Sequence, residues 1–528
     1  MSTSTLDAVV VGAGPSGLSA SLALSGWIPH LSLPCETHHP TLSQRLSRFS
    51  HLFPSASPSL DNPTLPASTA EDALPPLLDP ALLFSLSHGL RGRSNHPLAL
   101  LFDALHHPAA DLGVRSPSCL MLRHSPRHSL SHLVVDPLPF GGNWHIMHDA
   151  TLTLSPGFWM ELPSFPLAHH IAHTSPATLI DAERQAASRQ ERGLIASYYN
   201  MTAHRFNLSR HRRAARVLSA SYNPHNATTH GDWTVQLDDG SPPLRSHALV
   251  LATGASGMPR ELELEGEALR FVHHRCTQPG RSGRVVMVVG AGLSAADCTV
   301  YHLRQGRSVV HAFRGDAGAS KLGSKFCGVG ARAVYPEYFS LCQAMASSSK
   351  SPIPLFGGSY LPIARAQLKV IHPDGRCQVD VAGKTGLADH RTEDHHVHAV
   401  FILIGSTPDL SFLSAEVRHK LESRGPPSNT IDGVQATHPV FLDVNPYTTE
   451  SGSVPTLYAL GPLRGDNFVR FAIHDGHETH AQTELKDELD TFSAWKRMST
   501  DFSQLSLAAF EDCHHSCSVR MVDDKILT

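Results

Sequence analysis

The sequence predicts an α/β protein built from two Rossmann-like dinucleotide-binding units, the second inserted into the first. Three observations predict it. Residues 9–18 read VVVGAGPSGL and residues 287–297 read MVVGAGLSAAD, so the chain writes one strand–turn–helix phrase twice. Buried-strand runs ending in LATG at 251–254 and LIGSTPD at 403–409 fit crossings between two units. The 528 residues also exceed the roughly 250–300 at which a single core stops growing.

Residues 6–24 open the chain with strand, turn and helix. Leu6, Val9, Val10 and Val11 make a short buried strand, and LSASLALSG makes a small-residue helix ending at Gly26. Residues 37–80 are rich in Pro, Ser and His, the composition of a long loop or partly disordered insertion. Two apolar helical patches flank a polar hinge in 81–107, and VVDPLPFGGNWH follows at 134–145. The stretch from SYNPHN to LATG predicts a β-meander feeding a buried strand at 248–252. Residues 285–312 repeat strand, turn, helix and strand; a less regular region follows. Buried strands return at 398–409 and 457–476, the last leading into a helix. The expected organisation is a first unit of residues 1–270 and 405–484, a second of 271–404, and a polar tail of 485–528.

Composition narrows the class. Apolar residues make 41% of the chain and charged residues 17%, as in a folded protein. The net charge of −4 gives no basic excess for nucleic acid or an anionic membrane. No apolar run of about 18 residues predicts a membrane span. The chain enters a strand almost at once, which leaves no room for a targeting peptide. Nine cysteines are scattered without a Cys-x-x-Cys, so a reduced, cytoplasmic protein is expected. The 37 histidines, often doubled, lack a repeated ligand spacing and read as compositional bias rather than metal sites. The tail phrase CHHSC, Cys513 to Cys517, stays unassigned.

The chemistry sits in the two glycine phrases. In the first, Gly12 permits a tight turn, Gly14 lets a pyrophosphate approach the backbone, and Gly17 lets helix and strand pack closely. The helix N-terminus then offers N–H donors and a partial positive charge to the phosphates. An acid roughly 20 residues on binds the ribose hydroxyls in such sites, and Glu36 stands there, at the end of the proline-bearing run WIPHLSLPCE; the alternative is a plain loop acid. The second phrase is Gly290, Gly292 and Ala295, where alanine still allows close packing. Arg314 stands at a matching distance beyond it, after SVVHAF. An arginine there suits a 2′-phosphate and hence NADPH; Lys321 and Lys325 add charge nearby. Two nucleotide sites in one chain imply an electron donor and an acceptor, NADPH and FAD. In GPLRGDN, Asp466 stands at a turn before a helix, a place for a ribityl contact or for an ordinary cap.

The order GAGPSG, GGNW, LATG, FVHH, GAGLSA and GPLRGDN resembles the flavin-containing monooxygenase superfamily. LRGRSNHPLALLFDAL, VVGAGLSAAD, VYPEY, LIGSTPDLSFL and YALGPLRGDNFVRF are similar to the oxidative stress-induced growth inhibitor family within it. The resemblance runs from about residue 8 to about 476. It implies FAD- and NADPH-linked monooxygenase activity and a role in growth control and cell division. It carries cofactor contacts onto Gly12, Gly14, Gly17, Gly290, Gly292, Trp144, Arg314 and Asp466. Two departures stand out. Flavin monooxygenases place an Asn over the flavin in a segment like NTS..M..FP; the matching piece here is TLSPGFWMELPSFP, with Leu154 and Ser155 where that Asn would fall. The fingerprint before the second glycine phrase keeps Phe271 and His273 or His274 but lacks the glycine between them.

The expected reaction is therefore hydride transfer from NADPH to FAD, then O2 capture as a C4a-hydroperoxyflavin that oxygenates a small nucleophile or carbonyl. No catalytic side chain is assigned, although His273 or His274 is a candidate for the nicotinamide side. Three alternatives remain open: an NADPH oxidase without an organic substrate, a disulfide reductase, for which the sequence offers only Cys513 and Cys517 as a close pair, and a nucleotide-binding redox regulator acting through protein partners.

Overall fold

A computed structural model describes residues 5–32, 37, 39–49, 77–176, 178–224, 231–276, 284–316, 332, 334–347, 351–383, 390–422, 442–466, 469–474 and 476. Leu6–Val11 lies inside a seven-stranded sheet. It pairs in parallel with His132–Val135 on one side and Leu244–Leu251 on the other. Leu457–Ala459 returns from far along the chain to run parallel to Leu244–Leu251. The predicted meander, Val217–Asn223 and Asp232–Leu237, adds antiparallel strands. The apolar run AVVV follows from burial on both faces: Ala8 and Val10 enter one core, Val9 and Val11 another. Against this sheet the Pro15–Leu24 helix buries every residue from Ser16 to Leu24, with Ser, Gly and Ala between Leu18, Leu22 and Leu24 letting it sit close.

The second sheet lies in the chain between two strands of the first. Val272–His273, Ala399–Ile402, Val285–Val289, Ser308–Phe313 and Gly358–Ala364 run parallel, with Ile353–Leu355 antiparallel at the edge. The Leu293–Arg304 helix joins two neighbouring strands as a βαβ unit. Val286 and Val288 face one core, Met287 and Val289 the other. Met258–Pro259 and Ser406–Thr407 pair antiparallel just beyond the LATG and LIG strand ends, so the two crossings between the units are stitched together. The fold class is as the duplicated phrase predicts.

Three readings of the sequence need correction. Part of the 37–80 insertion is helical, at Pro40–Phe49; residues 50–76 lie outside the described set. The stretch after 352 holds an antiparallel sheet of Ala366–Ile371, Arg376–Val381 and Arg391–His396. Its strands look irregular because polar residues alternate with the buried Cys377, Val379 and Val381. And Ser25–Leu31, the strand after the first helix, does not join the main sheet. It pairs antiparallel with Leu120–Ser129 instead. The polar tail lies outside the described residues. Among those described, no helix is long and apolar enough to cross a membrane.

Candidate functional site

The first glycine turn shows three separate constraints. Gly12 has φ +110°, and a Cβ there would stand 2.4 Å from Ala252 O. A Cβ on Gly17 would stand 1.9 Å from Gly12 O, backbone against backbone. At Gly14 a Cβ would meet nothing within 4 Å. The first and third glycines are thus consumed by packing, while the second faces open space at the start of the Pro15–Leu24 helix. That is the arrangement a pyrophosphate cradle requires. The GGNW segment lies on top of it: Gly141 N donates to Ala13 O at 2.8 Å, and a Cβ on Gly142 would come within 2.9 Å of Gly14 Cα. Trp144, on the short turn Gly142–His145, is buried in the first core.

Beside this turn, the strand paired with Leu6–Val11 ends at Val135 and delivers Asp136. Its Oδ2 accepts the Ala13 N–H at 2.7 Å and its Oδ1 the Leu138 N–H at 2.7 Å. Burial pushes the carboxyl above its ordinary value, while the two N–H donors and Arg212 pull against that. Glu36 lies outside the described residues. The strand from which its place was counted has left the sheet, and the sheet position next to the glycine strand belongs to His132–Val135 and so to Asp136.

The second turn repeats the pattern. Gly290 has φ +129° and a Cβ there would stand 2.3 Å from Leu403 O, whereas Gly292 again faces open space. Ala295 is fully buried, and its Cβ would lie 3.6 Å from a Cβ on Gly290; the third position is tight enough for a methyl. His311 props this turn from behind. Its Nε2 donates to Gly290 O at 2.7 Å and its Nδ1 accepts from Tyr360 Oη at 2.9 Å. Burial lowers the His311 pKa to about 4, so the ring holds this neutral tautomer. Arg314 is exposed directly after the Ser308–Phe313 strand, the strand parallel to the one that feeds the turn. Lys321 and Lys325 lie outside the described residues.

Asp466 closes the first unit. It is 3% exposed, with Oδ1 accepting from Ser94 Oγ at 2.6 Å and Oδ2 from Arg464 Nε at 3.0 Å. His96 Nε2 donates to Arg464 O at 3.0 Å. So the SNHP hinge of the inserted helices clamps the LRGD turn, and that turn packs on the first helix, where a Cβ on Gly461 would stand 2.4 Å from Ser16 Oγ. The carboxylate is thus held inside a buried pair, with its lock facing the protein.

No protein-family model matches the chain. Curated relatives do. The mouse oxidative stress-induced growth inhibitor 1 is 33% identical over 515 residues, covering 92% of this chain and 96% of its own. The human oxidative stress-induced growth inhibitor 2 is 30% identical over 511 residues, covering 89% and 91%. The chain belongs to the oxidative stress-induced growth inhibitor family. Among solved structures, the bacillithiol disulfide reductase of Bacillus cereus superposes with a TM-score of 0.52 at 14% identity, covering 92% of this chain and 100% of that one. Its counterpart from Staphylococcus aureus does so with a TM-score of 0.50, also at 14% identity, over 92% and 99%. At that identity the likeness is one of fold: two dinucleotide-binding units, one inserted in the other.

In this growth inhibitor family member the structure gathers Gly12, Gly14, Gly17 and Trp144 at the first turn, with Asp466 at the end of the turn whose Gly461 packs against the same helix. Gly290, Gly292, Ala295 and Arg314 gather at the second. Sequence reasoning missed Asp136 and His311. The signal for Asp136 was present: HLVV is a buried-strand run that ends at an acid just before GGNW. The inserted hairpin hid it by displacing that strand far beyond the usual count. The reduced-cysteine expectation also needs correction, because Cys119 is disulfide-bonded. The residues at the missing Asn are placed as well: Leu154 packs against the second core and its carbonyl accepts from Tyr335 Oη. Cys513 and Cys517 lie outside the described residues.

Proposed function

We propose that this chain is an FAD-dependent, NADPH-consuming monooxygenase acting with O2 on a small-molecule substrate. The observation that carries the reading is the paired cradle. Two glycine turns each leave their middle glycine open at a helix start while the flanking positions are filled by protein. An acid stands beside the first and an arginine beyond the second. The fit favours FAD on the first: Gly14 receives the pyrophosphate on a turn shaped by Gly12 and Gly17, Asp136 in place of Glu36 stands on the strand end next to that turn as the acid of the ribose side, and the segment of Gly142 and Trp144 lies over the turn. Asp466, held by Ser94 and Arg464, fixes the turn assigned to the ribityl side. NADPH fits the second through Gly290, Gly292 and Ala295, with Arg314 meeting the 2′-phosphate.

When bound, FAD accepts hydride from NADPH and, once reduced, reacts with O2. The protein's own work is placement and exclusion of water. His311 holds the Gly290 carbonyl so that the second turn keeps its shape. The Met258–Pro259 and Ser406–Thr407 pair holds the two units in register. In this reading residues 1–270 and 405–484 bind FAD and 271–404 bind NADPH. A role in growth control accords with the names of the relatives, oxidative stress-induced growth inhibitors; a link to cell division and a cytoplasmic location belong to the same proposal.

A second reading, an NADPH oxidase without an organic substrate, is favoured by Leu154 and Ser155 at the place of the Asn. One experiment separates the two. Purified protein is mixed with NADPH in air, and flavin absorbance, NADPH consumption and peroxide release are followed with and without candidate amine, sulfide and ketone substrates. The monooxygenase reading expects a substrate that lowers peroxide yield per NADPH. Full peroxide yield with every candidate supports the oxidase, and a colourless protein that NADPH does not change sinks both.

A further inference from the structure

In the second unit, three side chains that take no part in the nucleotide cradle converge. Cys276 Sγ, Cys298 Sγ and a ring nitrogen of His302 all lie within 4.8 Å of one another. Cys298 and His302 stand one turn apart on the Leu293–Arg304 helix. Cys276 comes from the segment after Val272–His273. The thiols are far apart in sequence, so no motif announces them. Cys298 and His302 are fully buried, while Cys276 is partly exposed.

The tautomer of His302 decides between two chemistries. Arg307 Nη1 lies 2.8 Å from His302 Nδ1. A guanidinium only donates, so Nδ1 accepts and the ring proton sits on Nε2. That Nε2–H is buried and has no hydrogen-bond partner, which costs about 1–3 kcal/mol. A metal ion would need a lone pair on Nε2, with the other ring nitrogen donating to an acceptor; Arg307 imposes the reverse. An anionic sulfur, by contrast, is the acceptor that the Nε2–H lacks.

We infer that Cys276 and Cys298 form a peroxide-oxidisable dithiol, with Cys276 as the attacking sulfur, Cys298 as the resolving one and the His302 Nε2–H as donor to the anionic sulfur. The Cys276 thiolate attacks one oxygen of hydrogen peroxide. An S–O bond forms, the O–O bond breaks, and hydroxide leaves and takes up the thiol proton as water. Cys298 then attacks the sulfur of the Cys276 sulfenic acid. The S–S bond forms, the S–O bond breaks, and the hydroxyl leaves with the Cys298 proton as a second water. Two thiols have given two electrons to one peroxide. Exposure sets the order, since peroxide reaches the partly exposed sulfur first. Burial also pushes the Cys298 thiol well above its ordinary value, which agrees with Cys276 rather than Cys298 attacking first. The bond would tie the segment before the Val285–Val289 strand to the helix that follows the second glycine turn.

The test uses the full-length purified protein. It is exposed to stoichiometric hydrogen peroxide, denatured, alkylated with N-ethylmaleimide and mapped by mass spectrometry. The expected result is one peptide pair joined through Cys276 and Cys298, lighter by two hydrogens and released by dithiothreitol. In Cys298→Ser, dimedone should label Cys276 after peroxide; in Cys276→Ser, Cys298 should remain alkylatable. Wild-type protein in which both thiols stay fully alkylatable after peroxide overturns the proposal. So does stoichiometric zinc whose removal is needed before either thiol reacts.

Discussion

Asp136 Oδ2 accepts the Ala13 N–H at 2.7 Å, tying the end of one strand to the middle of the glycine turn that ends its neighbour. The bond joins the glycine turn to a strand contributed more than a hundred residues later, the strand that in the proposed reading supplies the acid of the ribose side. Asp136→Ala removes the acceptors of two backbone N–H groups, one of them on the fully buried Ala13. A loss of about 1–3 kcal/mol is expected, together with a purified protein that retains far less flavin. Asp136→Asn keeps an acceptor and should lose less. Thermal melts and the flavin-to-protein absorbance ratio read both; an unchanged ratio in Asp136→Ala would remove Asp136 from the FAD site.

The glycines of the first turn should respond in opposite ways. Gly17→Ala forces a methyl into the Gly12 carbonyl, where backbone must move, and should reduce folded yield sharply. Gly14→Ala meets no protein atom. It should fold with a melting temperature near wild type once flavin is stripped from both, yet bind FAD weakly. Equal damage from the two substitutions would mean that the open face at Gly14 is not a ligand cradle.

How much of this was legible in sequence follows from what each residue answers to. Gly12, Gly14 and Gly17 are legible because the turn they write between strand and helix spans six residues, and so are Gly290, Gly292 and Ala295, although the neighbours that close on Gly12 and Gly290, Ala252 and Leu403, come from far along the chain. The strands at 248–252 and 285–289 are equally plain, being continuous apolar runs. Asp136 was hidden because its place depends on which strand pairs with Leu6–Val11. That is a long-range choice, changed here by the Ser25–Leu31 and Leu120–Ser129 hairpin. His311, Cys276 and Cys298 were hidden for the same reason: each acquires its role from a neighbour distant in the chain. Asp466 and its neighbour Arg464 stand together in GPLRGDN, but its partner Ser94, hundreds of residues earlier, needed the fold.

Glu161 offers a pH test. It is buried, its Oε2 accepts the Leu167 N–H at 2.9 Å, and burial raises its pKa from 4.5 to about 7 against that bond and Arg115. The folded state therefore holds the proton more tightly than the unfolded chain. The favourable term is complete below about 4.5 and is lost as pH rises to about 7. It amounts to at most about 3 kcal/mol. Glu161→Gln, which keeps an acceptor for Leu167, should flatten the fall in melting temperature across that window. An unchanged slope would assign the pH dependence elsewhere.

The Asp466 lock should behave as a buried pair. Removing one partner of such a pair costs about 3–5 kcal/mol, so Asp466→Ala should unfold well below wild type. Ser94→Ala removes only one hydrogen bond and should cost about 1 kcal/mol. Urea denaturation of both variants measures the difference, and a mild Asp466→Ala would show that the turn is held by packing alone.

The division of labour between the two glycine turns is tested most directly at Arg314, by anaerobic stopped-flow reduction of the bound flavin in Arg314→Ala with NADPH and with NADH. A charge-assisted contact to the 2′-phosphate is worth about 1.5–3 kcal/mol. The NADPH dissociation constant should therefore rise at least tenfold, with NADH little changed and flavin content at the wild-type level. An equal loss with both nicotinamides, or a loss of flavin, would contradict the assignment of NADPH to the second turn.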